Sequence, residues 1–246
     1  MTKEHLTSTS KNAIAFAIVV SADKGGVGKS TTARIIAALI IMYGLKLLGF
    51  DCDARNAHLE RYYGASSRVV RTQLRREGGW DLVFDEIENT PNATVLFDLP
   101  ANVGDVIERQ INKLHRVFEV LGRELIHVWV IDDEEDSVTL LNRVRTLAAP
   151  SRTLVVMNGR FGASPRDFKL WQESPLRAEM IAQGLTEIYL PVLPIRARTR
   201  IARSRSPFHD VSNAGLQAWE RVDFDMWWTA VERAFSPFIS MLEECK

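Results

Sequence analysis

The chain has 246 residues, 46% hydrophobic and 25% charged, an ordinary globular composition with length enough for a sizeable core. Its 31 basic residues balance 31 acidic ones, which excludes a molecule drawn to nucleic acid or an anionic membrane by its global field; such binding would need a local patch. Only two cysteines occur, Cys52 and Cys245, so a disulfide framework is not expected and a reducing cytoplasm is.

In chain order, residues 1–12 are polar and read as a flexible terminus without a signal peptide. The near-continuous apolar run 13–21 predicts a first strand covered on both faces. Further runs at 45–50, 93–97, 125–131, 153–157 and 188–193 predict five more strands. Helical periodicity marks 30–43, 103–121 and 137–147. Strand and helix therefore alternate, and the expected fold is α/β: one domain with a single open, mostly parallel twisted sheet carrying helices on both faces. No run approaches the roughly 18 apolar residues of a membrane span. Ligands of such sheets bind beyond the carboxyl ends of the strands, and there the chain places Lys24 to Thr31, Asp51, Asp53, Asp98 and Asn158.

The segment Lys24-Gly25-Gly26-Val27-Gly28-Lys29-Ser30-Thr31 lies between the first strand and a strongly apolar helix, the context of a phosphate loop. Its glycines let the backbone wrap a phosphate and turn N–H groups toward it, while the following helix presents its positive end. Lys29 supplies a cation for the outer phosphates, and Ser30 a hydroxyl for a bridging Mg2+. Asp23 stands where the standard pattern has glycine, but the variant with a second lysine, Lys-Gly-Gly-x-Gly-Lys-Ser, is matched in full.

On this motif the chain resembles the ParA/MinD family of deviant Walker-type ATPases. The resemblance implies ATP and Mg2+ as cofactors, and slow hydrolysis stimulated by a protein partner. It implies that Lys24 reaches across a two-fold interface to the ATP of a second copy, so that ATP closes a homodimer. An aspartate at Asp53 would orient or activate the attacking water, with Asp51 near the metal shell. The apolar run ending at Asp98 fits the Walker B pattern, with Asp98 holding a Mg-bound water. Asn158 would read adenine, or else simply cap or turn the chain; Pro191 to Pro194 would lie close by. Ala54-Arg55-Asn56-Ala57 departs from the Pro-Gln that often follows in the family.

Arg196, Arg198, Arg200, Arg203 and Arg205 crowd one stretch with no acid between Glu187 and Asp210. They read either as a solvated basic loop or as a non-specific DNA contact. The five histidines show no metal-ligand spacing and read as structural or solvated. Trp219, Trp227, Trp228, Phe235 and Phe238 read as core or a partner interface, since the acids beside them have the wrong sign for a membrane-surface helix. The function expected is an ATP-dependent dimerisation switch for plasmid partition, stability or conjugative transfer. The alternatives are an ATP-dependent metabolic enzyme such as a synthetase, and a membrane-positioning ATPase.

Overall fold

The structure, a computed structural model, describes residues 15–22, 24–53, 56–101 and 104–244. The expectations that fall on 1–14, Asp23, Ala54, Arg55, 103 and Cys245 lie outside these residues.

Seven parallel strands form one sheet in the order β3-β2-β4-β1-β5-β6-β7. They are β1 (Ala15–Ser21), β2 (Lys46–Asp51), β3 (Arg68–Arg71), β4 (Ala93–Asp98), β5 (Arg123–Ile131), β6 (Thr153–Asn158) and β7 (Thr186–Leu190). The helices are α1 (Lys29–Met42), α2 (His58–Tyr63), α3 (Gly79–Glu88), α4 (Gly104–Val120), α5 (Glu135–Val144), α6 (Lys169–Gln172), α7 (Pro175–Ala182), α8 (Ile195–Ser204), α9 (Ala218–Ala234) and α10 (Ser236–Glu243). The central strands β1 and β4 are buried on both faces, which is why their sequences are unbroken apolar runs.

Side chains alternate across the sheet and divide the core. Phe16, Ile18 and Val20 of β1 face a cluster built on α1, α9 and α10, whereas Ala17 and Val19 face one built on α3 and α4. A third cluster around Trp129, Leu141, Phe168 and Trp171 covers β5 and β6 on the side of α5 and α6. Trp227, Trp228, Phe235 and Phe238 are core residues, and only Trp219 of that aromatic group is exposed.

Several elements differ from expectation. β3 was not foreseen: its Arg-Val-Val-Arg is half-exposed and too short to stand out, and it forms as an edge strand in register with Leu48 to Asp51. β7 ends at Leu190 rather than continuing to 193, because Pro191 has no N–H for the ladder. It begins earlier, at Thr186, where Glu187 is held by Arg177 and by the Trp171 indole. α5 begins at Glu135, whose charge with Asp136 suits the positive helix end, and past Val144 gives way to a single 3-10 turn. The arginine-rich stretch is not a loop but helix α8, anchored by buried Ala197 and Ile201 and stopped by Arg205 in a left-handed conformation, φ 57. Among the described residues no helix is long and apolar enough to cross a membrane.

Candidate functional site

Parallel pairing brings the carboxyl ends of β2, β4 and β1 together: Asp51 is opposite Asp98, and Asp98 opposite Val20. The chain leaving β1 turns through Lys24 to Gly28 into α1. Gly26 and Gly28 have φ of 84 and 108, conformations that a Cβ disfavours, and a Cβ on Gly28 would also strike the Asn158 amide. No side chain caps the start of α1, so its first N–H groups keep capacity for a ligand.

A cavity of about 410 Å³ opens above this turn. Gly25, Gly26, Gly28, Lys29, Ser30 and Thr31 line one wall, with Asp53 and Leu99 alongside; Asn158, Pro191, Val192 and Leu193 line another. The sequence-predicted loop and the segment following β7 thus meet in one concavity. Lys29 is buried and its ammonium donates to the Lys24 carbonyl at 2.7 Å. Val27 is a core side chain and takes part through its carbonyl, which accepts from Asn158 Nδ2 at 2.7 Å. Asn158 Oδ1 accepts from the Arg160 amide, so both ends of this side-chain amide are engaged within the protein while the residue lines the cavity.

Lys24 is not part of the cavity lining. Its ammonium pairs with Asp132 Oδ2 at 3.3 Å and with Glu134, beyond β5. The Glu134 carboxylate first, with help from Asp132, holds the ammonium pKa above its ordinary value against the opposing cost of desolvation.

The three carboxylates have distinct environments. Asp98 is fully buried and neither oxygen has a hydrogen-bond partner among the described residues. Burial first, then the neighbouring Asp51, pushes its pKa up to about 7; Ser30, close but short of full hydrogen-bond geometry, and the Lys29 ammonium oppose the rise. Asp51 accepts from the Asp53 and Glu60 amides at 3.3 and 3.0 Å, so it braces the start of α2, while burial raises its pKa. Asp53 lies past the end of β2, so strand alternation does not place it with Asp51: Asp53 lines the cavity and Asp51 does not. Cys52 between them is buried packing, its thiol pKa driven up by burial.

Sequence reasoning missed Arg34, Asn56, His58, Phe208 and Trp227, which also line the cavity. The Arg34 guanidinium is stacked between Tyr62 and Phe208, 3.4 and 4.2 Å from the ring centroids. Its position one turn after Ser30 was the available signal; its aromatic partners come from distant segments. Of the arginine group, Arg198 lines the cavity, Arg200 pairs at 2.5 Å with buried Glu220, and Arg196 lies over the Trp219 ring.

These residues fit a nucleotide with a divalent cation. The glycine turn and uncapped helix suit phosphate, and the orphaned, buried Asp98 oxygens suit positive charge brought near Ser30. Among the described residues no three His, Cys, Asp or Glu side chains converge into a closed metal cage. The donors present match Mg2+, which takes few protein ligands beside phosphate and water.

The comparisons agree. Residues 18–160, more than half the chain, match the CobQ/CobB/MinD/ParA nucleotide binding domain. The chain is 24% identical over 209 residues to Protein MobD of Acidithiobacillus ferrooxidans, covering 85% of this chain and 91% of that one. It is 34% identical over 85 residues to the septum site-determining protein MinD of Neisseria meningitidis serogroup B, covering 35% and 31%. Among solved structures, the signal recognition particle receptor FtsY of Elizabethkingia anophelis shares the fold with a TM-score of 0.51 at 14% identity, over 89% of this chain and 66% of that one. With a P-loop sheet, the glycine turn at its centre and the match over residues 18–160, the chain belongs to the CobQ/CobB/MinD/ParA nucleotide-binding family.

Proposed function

We propose that the chain binds ATP with Mg2+ in the 410 Å³ cavity, hydrolyses it slowly, and in the ATP state closes as a homodimer that engages a partner in DNA partition, plasmid stability or conjugative transfer. The observation that carries this reading is the convergence of Gly25, Gly26, Gly28 to Thr31, Asp53 and the Pro191–Leu193 segment on one cavity, with Lys24 outside its lining. A loop lysine that lies outside its own cavity supports a role in the site of another copy.

In this reading the α1 amides and Lys29 hold the outer phosphates, and Ser30 with Asp98 holds the cation side. Mg2+ would supply charge neutralisation on the outer phosphates. Asp53 orients a water whose oxygen attacks the terminal phosphorus as the bond to the bridging oxygen breaks and ADP leaves. Asp51 acts indirectly, through the backbone amide of Asp53. The extent of the MobD match, against the short match to a septum-placement protein, favours the DNA-transfer reading over division-site placement. Non-specific DNA remains a candidate ligand for Arg198, Arg203 and Arg205, which are exposed.

Calorimetry with a non-hydrolysable ATP analogue and Mg2+ tests the placement. Lys29→Ala, shown folded by circular dichroism, is expected to lose about a hundredfold in affinity, the worth of one or two charge-assisted hydrogen bonds. Unchanged affinity removes the nucleotide from this cavity.

A further inference from the structure

Helix α9 is apolar on two sides. Phe224, Trp228 and Val231 point into the core, whereas Trp219, Val222 and Met226, spaced i, i+3 and i+7, lie on the opposite side and are 47%, 56% and 67% exposed. Val192 and Ile195, at the end of β7 and the start of α8, are exposed as well. The two segments lie side by side: the Trp227 indole donates to the Pro191 carbonyl, Arg200 pairs with Glu220, and the Arg196 guanidinium is 5.5 Å from the Trp219 centroid. The other exposed large hydrophobics among the described residues, Met42, Leu82, Val120, Leu170 and Ile181, sit one to an element. Among the described residues this is where exposed large hydrophobics gather, rather than standing singly.

The patch has a charged border. Arg196, Arg200 and Arg203 are spaced i, i+4 and i+7 on α8, and the Arg200–Glu220 pair turns that side toward α9. Arg200 is occupied by Glu220, and Arg203 forms no ion pair among the described residues. Duplex DNA gains nothing from a Trp-Val-Met stripe; Asp225 of α9 is already paired with Arg221 and Glu220 with Arg200, which leaves Arg196 and Arg203 as the charges that α8 offers a partner. Exposed Trp and Met edged by Arg is the composition of a protein contact. The stripe from 219 to 226 is about 10 Å long, two turns of helix.

We propose that the outer face of α9 with the start of α8 docks a protein partner through an acidic amphipathic helix, whose apolar side covers Trp219, Val222 and Met226 and whose carboxylates meet Arg196 and Arg203. This names where the protein partner of the proposed switch would bind, and rests on that reading only for what the switch controls. Val222, Met226 and Arg203 are not in the cavity lining, so docking and nucleotide binding can be tested separately.

The probe is a short labelled peptide helix with a leucine stripe flanked by glutamates, and its twin with lysines in their place, followed by fluorescence anisotropy on the full chain. The acidic peptide is expected to bind and the lysine twin not. Val222→Asp with Met226→Asp should weaken binding by about tenfold or more, and Arg203→Glu by several-fold, a loss shared with wild type at high salt. Trp219→Phe should abolish the blue shift in tryptophan emission that binding produces. Equal binding of both peptides, or unchanged affinity in the double variant, overturns the proposal. So does loss, in that variant, of binding to a short DNA duplex, of sedimentation with anionic vesicles, or of self-association while the acidic peptide still binds. ADP affinity is measured in parallel: its absence in wild type refutes the nucleotide reading alone, and its retention in the variants shows that peptide loss is not unfolding.

Discussion

Gly25 and Gly28 sit three residues apart in the same turn, yet the structure asks different things of them. Gly28 has φ 108, and a Cβ there would displace the Asn158 amide that donates to the Val27 carbonyl. Gly28→Ala should therefore lose about 1–2 kcal/mol to left-handed backbone strain and about 1 kcal/mol with the hydrogen bond. For a chain of this size that is a fall in Tm of roughly 4–12 °C. Gly25 has no such φ, and a Cβ on it meets nothing within 4 Å, only the open cavity. Gly25→Ala should keep its Tm within about 1–2 °C, the usual range of a surface change, and yet bind nucleotide more weakly, because the methyl group stands where phosphate approaches. Thermal melts and calorimetry on both variants, with Asn158→Ala added to Gly28→Ala, complete the test. The added change should cost little more than Gly28→Ala alone, because the Asn158 hydrogen bond is already lost there, and it should leave the backbone part. A stable Gly28→Ala, or a Gly25→Ala that melts early and binds normally, would refute the assignment of the first glycine to ligand and the second to fold.

Two further outcomes follow from buried groups. His127 is wholly buried, bonded to the Ser21 hydroxyl at 2.7 Å, and burial holds its pKa down to about 3. Below the unfolded value of about 6.5 the unfolded chain binds the extra proton, so stability is lost as pH falls; the His127 share is about 2 kcal/mol between pH 8 and pH 5. Urea unfolding of wild type against His127→Leu should show that difference in pH slope. The Asp98 contribution runs the other way, since its folded pKa of about 7 lies above the unfolded value, and it cancels in the comparison. Arg200→Ala leaves the Glu220 carboxylate, 2% exposed, with only the Gln217 amide as a donor among the described residues. Because Arg200 itself is 38% exposed, the loss should be about 2 kcal/mol rather than the larger cost of a sealed pair, and adding Glu220→Gln should return most of it.

The central strands and the phosphate loop were legible because burial on both faces writes itself as unbroken apolar runs, and because a glycine turn before a helix has few other uses. β3 was not, since a four-residue edge strand between arginines carries almost no period-two signal. The arginine stretch misled in another way: its charge masked a helix held by Ala197 and Ile201, and only the fold divides the group into Arg198 at the cavity, Arg200 in an ion pair and Arg196 on an indole. Arg34 and Phe208 escaped notice for a related reason. Their contact joins α1 to a segment far along the chain, and no local pattern records such a meeting.

The role of Lys24 is the most exposed part of the account. Its partner Glu134 is exposed and weakly held, whereas Asp132 is buried and keeps the Ser137 hydroxyl as a donor when Lys24 leaves, so a contact with another copy has to outweigh the Asp132 pair. Sedimentation of wild type, Lys24→Ala and Asp53→Ala, each saturated with ATP and Mg2+ and with binding checked by calorimetry, tests this directly. Asp53→Ala should sediment as a stable dimer, because hydrolysis no longer releases it, whereas Lys24→Ala should bind ATP and remain a monomer. If both variants bind ATP and both stay monomeric, or if Lys24→Ala dimerises as readily as Asp53→Ala, ATP does not close two copies of this chain through Lys24.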